Sequence, residues 1–176
     1  MQTASAEATR SPSHTVILGI DPGSRRTGYG AIALADGHCQ LLDRGVVAPA
    51  ARLPLELKLR EIHAQVLAII ERLQPDVLAV EDVFHAVNAR TALVLGHVRG
   101  VVLLAGAEAG LPVCAYAPAT VKLEVTGSGR AEKSQVAYMV SRHLSLAERG
   151  EPGDAADALA VAICHAHRCA TENLRR

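Results

Sequence analysis

The segment TVILGIDPG, Thr15 to Gly23, decides the fold. Thr15 to Ile20 is a short apolar run rich in β-branched residues, and it stops at Asp21-Pro22-Gly23. An apolar run of this length, closed by turn residues, reads as a buried strand. Gly28 to Leu34 and Leu41 to Val47 follow as two more apolar runs, separated by Asp36-Gly37. Asp-Gly between such runs signals a tight hairpin, because both central residues tolerate positive φ. The chain therefore opens as an antiparallel meander of three strands.

Beyond the meander the period changes. Leu55, Leu59, Ile62, Val66, Ile69 and Leu73 recur at intervals of three and four, with Glu56, Arg60, Glu61, Gln65 and Arg72 between them. This spacing predicts an amphipathic helix that stops near Pro75. Asp76 to Glu81 is a second buried strand, again ending in a carboxylate, and a long helix over about Ala89 to Ala109 follows. Ala92, Gly96 and Gly100 recur along that helix at four-residue spacing, a stripe on which another element can pack closely. Val113 to Ala117 reads as a further strand, and Pro118 to Val125, Ala131 to Leu144 and Asp154 to about Ala170 read as helices. The expected class is α/β, a mixed five-stranded sheet flanked by helices. We expect one domain over residues 14–170, with a polar tail at 1–13 and a short C-terminal tail at 171–176.

The 176 residues are 49% hydrophobic, enough for one packed core. The N-terminus lacks the apolar centre of a signal peptide, and no apolar stretch is read as reaching the ~18 residues of a membrane span. These readings favour a cytoplasmic protein with no membrane partner and four reduced cysteines. Lys plus Arg and Asp plus Glu both number 18, so net charge gives no support for nucleic-acid binding. A DNA-binding role demands that the basic residues gather on one face.

Four acids are candidates for chemistry. Asp21 leaves a buried strand at the sheet end where ligands gather in open α/β folds, although Asp-Pro-Gly is equally good turn chemistry. Glu81 ends the second buried strand, where an unpaired buried charge is costly, so it is either solvated or holds a cation. Its neighbour Asp82 points to the opposite face of a strand, and Glu81 is the better partner for Asp21. Asp154 and Asp157 share a face at the start of an apolar helix. Capping and dipole stabilisation explain that pair on its own better than catalysis does. Gly127-Ser128-Gly129-Arg130 reads as a phosphate cradle or, more simply, as a connecting loop, and it is not a Walker A loop. Cys164, His165, His167 and Cys169 are crowded together but lack the spacing of a zinc site. Cys39 and Cys114 read as core thiols.

Taken together, GIDPGSRRTGYG, VEDVF, VKLEVTGSGRAEKSQV and DAADALAVA resemble, in order and spacing, the RuvC family of Holliday-junction resolvases, over about residues 15–168. The resemblance implies an RNase H-like fold and a homodimer. It implies that Asp21, Glu81, Asp154 and Asp157 are metal-binding catalytic carboxylates, and that Lys122 and Lys133 serve DNA contact and activity. Phe84, the chain's single Phe, corresponds to an aromatic that stacks against or wedges bases near the junction. Arg90 and Arg130 are further candidate DNA contacts. The sequence departs from the family at Val87 and Val94, where lysines are common, and Arg25, Arg26, Arg90, Arg99 and Arg130 are the residues available to compensate.

The implied activity is a structure-selective endodeoxyribonuclease of recombination and repair. It would use two magnesium ions per site, with manganese as a substitute, and make paired symmetric nicks in four-way DNA junctions. The ends would be 5′-phosphate and 3′-hydroxyl. A branch-migration helicase complex, RuvA and RuvB, is the implied partner. The competing readings are an actin-like ATPase, for which the chain is too short, a non-cutting junction-binding module, and a structured-RNA nuclease.

Overall fold

The computed structural model describes residues 14–82, 88–146 and 153–173. Its elements run β1 (Thr15–Asp21), β2 (Thr27–Ala35), β3 (His38–Val47), α1 (Leu55–Leu73), β4 (Val77–Glu81), α2 (Ala89–Glu108), β5 (Val113–Tyr116), α3 (Pro118–Thr126), α4 (Lys133–His143) and α5 (Asp154–Asn173). The five strands form one sheet in the order β3-β2-β1-β4-β5. The β1–β2 and β2–β3 pairs are antiparallel, whereas β4 lies parallel to β1 and β5 parallel to β4. This is the expected mixed sheet. Asp36 and Gly37 take φ values of 50° and 78°, as the hairpin between β2 and β3 requires. Helix α1 ends at Gln74, in the left-handed region with φ 47°, because Pro75 cannot extend it.

The strand period of two sorts β1 and β4 into two faces. Leu18, Ile20, Leu78 and Val80 pack with α1 and α2 residues such as Ile62, Val66, Val98 and Val102. Ile17, Val77 and Ala79 face the other way and pack with α3, α4 and α5. Both central strands are thus covered on both sides, which explains why they read as unbroken apolar runs.

Helix α5 sits unusually close to the sheet. Ala158 to Cys164 are 0–1% exposed. A Cβ on Gly19 would strike the Ala158 carbonyl and the Ala162 amide; on Gly30, the Leu159 side chain; on Gly28, the Asp154 carbonyl. Gly19 pairs with Gly30 and Asp21 with Gly28 across β1 and β2, so the glycines form a groove that seats the helix. The alanines of α5 complete the approach from the other side.

Three features differ from the sequence reading. The stripe Ala92, Gly96, Gly100 is exposed, and among the described residues a Cβ on either glycine would meet nothing within 4 Å, so no described element packs there. Helix α2 is also long and apolar enough to span a bilayer by length and composition, with mean hydropathy 1.4 over a window that is 22% buried. Finally, α5 continues to Asn173, so Thr171 to Asn173 are helical rather than tail.

Gly19→Val should shift α5 and destabilise the protein by about 1–3 kcal/mol or more, the range of overpacked cores. Urea unfolding followed by circular dichroism measures this, and a change below ~0.5 kcal/mol would show that α5 can stand off the sheet.

Candidate active site

The parallel register of β1 and β4 pairs Ile20 with Val80, and one further step sets Asp21 beside Glu81. By strand alternation both side chains point to the α5 face. Each is only partly exposed. Burial, followed by the neighbouring Asp21 charge and the hydrogen bond to Asp21, pushes the Glu81 carboxyl up to about 8. Burial also raises Asp21, against the opposing effect of the hydrogen bond from Glu81. Both carboxyls are raised and hydrogen-bonded to one another, so the pair holds on to a shared proton. Asp82 turns to the opposite face, where Arg99 Nη2 lies 2.5 Å from its Oδ1. The choice of Glu81 over Asp82 agrees with this geometry. Arg99, read as a candidate compensating DNA contact, pairs with Asp82 in this structure.

The second pair of acids comes from the first turn of α5. Helical bonding begins with the Asp157 N–H donating to the Gly153 carbonyl at 3.0 Å, so the cap position falls on Gly153 rather than Asp154. The Asp154 side chain is held by Arg26, with Nε 2.7 Å from Oδ2. The Asp157 side chain accepts from Lys133 Nζ at 2.8 Å. That bond, ahead of the surrounding negative charge, raises the Lys133 pKa above its ordinary value. The charges of Asp157 and Asp154 both act on Asp21, and that of Asp157 on Glu81. Three remote stretches of chain thus form one electrostatic cluster. Unit charges ~4 Å apart repel by about 4 kcal/mol at an effective dielectric of 20. One proton, one guanidinium and one ammonium offset that repulsion here.

A cleft of about 590 Å³ opens beside the cluster, lined by Asp21, Glu81, Lys122 and Lys133 together with the Ala117–Ala119 segment at the start of α3. Lys133 belongs to both cleft and cluster. Its place in the first turn of α4 is balanced by Glu132, which caps that helix in a capping box with Gln135. Glu132 already supplies an acid at the amide end of α4, which favours the connecting-loop reading of the 127–130 segment.

Arg90 and Arg130 stand apart from the acids. Arg90 lines a groove with Ser24, Lys58, Val94 and His97, and Arg130 a separate pocket with Ser128, Gln135 and Tyr138. Phe84 and Val87 lie outside the described residues. The sequence reading did not single out Lys58 or the Arg26–Asp154 pair. Lys58 lies among the polar residues of α1, where nothing local sets it apart, and only the fold brings Arg26 to α5.

Among the described residues, no three His, Cys, Asp or Glu side chains are already arranged to grip a metal ion. For zinc the reason is plain. His165 Nδ1 is 2.7 Å from the Tyr116 hydroxyl, and its Nε2 is 3.3 Å from Cys169 Sγ. His167 Nδ1 lies 3.0 Å from the Glu124 carbonyl oxygen. The four acids differ in kind: they are oxygen-only donors, and their charge demands a counter-cation. That donor chemistry fits a hard divalent ion once Arg26 and Lys133 release their carboxylates.

Residues 17–165 match the family model described as crossover junction endodeoxyribonuclease RuvC. The chain is 49% identical over 156 residues to the protein of that name from Desulforamulus reducens, covering 89% of this chain and 96% of the relative. It is 52% identical over 158 residues to that of Koribacter versatilis, covering 88% and 94%. The solved structure of T. thermophilus RuvC in complex with Holliday junction substrate superposes with a TM-score of 0.84 at 39% identity, covering 90% of this chain and 97% of that one. With the sheet, the strand-end acids and the α5 acids in this order, the chain belongs to the RuvC family of crossover junction endodeoxyribonucleases.

Proposed function

We propose that this protein resolves Holliday junctions in recombination and repair, by hydrolysing phosphodiester bonds at the Asp21–Glu81–Asp154–Asp157 cluster with magnesium. The observation that carries the reading is the meeting of four acids from three separate elements beside a cleft lined by Lys122 and Lys133. Asp21, on which the other three acids act, would be a central ligand for bound magnesium. Glu81, Asp154 and Asp157 would hold the magnesium with it. Bound there, the ions supply Lewis acidity toward the scissile phosphate and an attacking water. The chain's own residues orient the reaction. Glu81 gives up its proton when it becomes a ligand. Lys133, released from Asp157, is placed to offset phosphate charge, and Lys122 lies along the same cleft. In-line attack opposite the 3′-oxygen leaves a 5′-phosphate and a 3′-hydroxyl. Phe84 would stack on or wedge junction bases, and Arg90 and Arg130 would follow the DNA arms.

Paired symmetric nicks require two such sites, and we propose a homodimer built on α2. Leu93 is 65% exposed and Leu104 49%. By helical spacing they share a face with Gly96 and Gly100, which present bare backbone to a partner helix. A twofold pairing of identical stripes would cover this face. The cytoplasmic setting and the RuvA–RuvB branch-migration partner belong to the same proposal.

Asp21→Asn should abolish nicking of a labelled four-way junction, by at least the roughly 10–100-fold that loss of an outer metal-site partner costs, while junction binding persists. A linear duplex and an RNA hairpin, each assayed with and without magnesium, should remain uncut by the wild type. Leu93→Glu should convert a dimer to a monomer in sedimentation velocity, whereas an unchanged mass would place the dimer contact elsewhere.

The unfolded chain loses the Glu81 proton around its ordinary 4.5, but the folded chain keeps it to about 8. The native state therefore binds more protons than the unfolded state across this window, and chelator-treated protein should lose stability as pH rises through it. Glu81→Gln should flatten the loss. Added magnesium should oppose it most at the alkaline end, where the carboxylate is free to bind. Thermal unfolding at pH 5, 6.5 and 8 measures all three effects.

A further inference from the structure

We infer that Arg26 competes with the divalent cation for Asp154, and so sets how much metal the site requires before it loads. The inference rests on the reading of Asp154 as a metal ligand. Arg26 Nε and Asp154 Oδ2 are 2.7 Å apart, although Arg26 is 61% exposed and has open solvent available to it. Its position is imposed by backbone packing. A Cβ on Gly23 would strike the Arg26 carbonyl, so the turn after β1 is closed tightly. Thr27, fully buried, donates its hydroxyl to the Gly23 carbonyl at 3.4 Å. Gly28 abuts the Asp154 backbone. Arg26 is thus held next to the first turn of α5 and has a short reach to its acid.

Two comparisons within the molecule separate Arg26 from an ordinary DNA contact. Its neighbour Arg25 turns into a groove with Ser24, Lys58 and Val98 on the α1–α2 side of the sheet, so consecutive arginines serve different faces. Lys133, the other cation in the cluster, lines the catalytic cleft, whereas Arg26 does not. Arg26 makes the direct ion pair with Asp154, whereas the Lys133 charge reaches that carboxylate only from its own bond to Asp157. A guanidinium and a hard cation cannot both satisfy the same carboxylate oxygen, so any ion taking Asp154 must displace or weaken this pair. DNA phosphates brought near the turn would draw Arg26 off and favour loading with substrate present.

The test is a titration of the full chain with Mn2+ in the absence of DNA, with free Mn2+ read by electron paramagnetic resonance. Arg26→Gln should tighten Mn2+ binding by about 1.5- to 5-fold, the range expected from releasing an exposed ion pair. In an Asp154→Asn background the same substitution should change nothing. Equal tightening in both backgrounds would mean a general charge effect and would overturn the proposal. So would an unchanged affinity in Arg26→Gln alongside a weakened Asp154→Asn. If Asp154→Asn itself leaves Mn2+ binding unaltered, Asp154 is not a ligand, and the underlying reading fails first. Thermal unfolding of each variant checks that the fold is intact.

Discussion

The close seating of α5 on the glycine groove of β1 and β2 is the contact on which the site depends. Gly19, Gly28 and Gly30 remove side chains from the sheet surface, and Ala158 and Ala162 keep the helix thin where it lands. Dispersion and burial along this contact are strong because the surfaces meet without gaps. The same contact fixes the helix start, since Gly28 lies against Asp154 and is paired with Asp21 across the strands. Packing that stabilises the core thereby also sets the distance between the strand-end acids and the helix acids.

That geometry gathers negative charge, and the rest of the site is organised around relieving it. Asp21 and Glu81 share a proton, Asp154 is held by Arg26, and Asp157 by Lys133. Each compensation is local and reversible. A carboxylate cluster built this way can pass from proton and side-chain partners to divalent cations without refolding, because only side chains need to move. The cations released in the exchange then lie beside an incoming phosphate backbone.

The two faces of the sheet carry different duties. The α3–α4–α5 side forms the larger core and delivers the acids. The α1–α2 side carries a groove containing Lys58, Arg90 and His97, and it exposes the apolar stripe of α2. A chain with zero net charge can still bind a polyanion if its cations are segregated, and these grooves segregate several of them. Arg99 is paired with Asp82 instead of lining these grooves.

The sequence by itself determined the order and type of every described element, because the apolar runs of the strands and the three-and-four spacing of α1 are clear and Pro75, Asp36-Gly37 and Pro118 punctuate the chain. It also marked Asp21 and Glu81 as candidates, each ending a buried apolar run, although Asp21 read equally well as a turn residue and Glu81 as a solvated one. Asp154 and Asp157 were legible mainly through family resemblance; read alone they looked like helix-start acids. Only the tertiary structure decided that Arg26 pairs with Asp154, that Lys133 pairs with Asp157, and that the Gly96–Gly100 stripe faces outward. These are contacts between residues distant in the chain, or the lack of such a contact. Local periodicity reports which face of an element is apolar, but it carries no record of what that face meets.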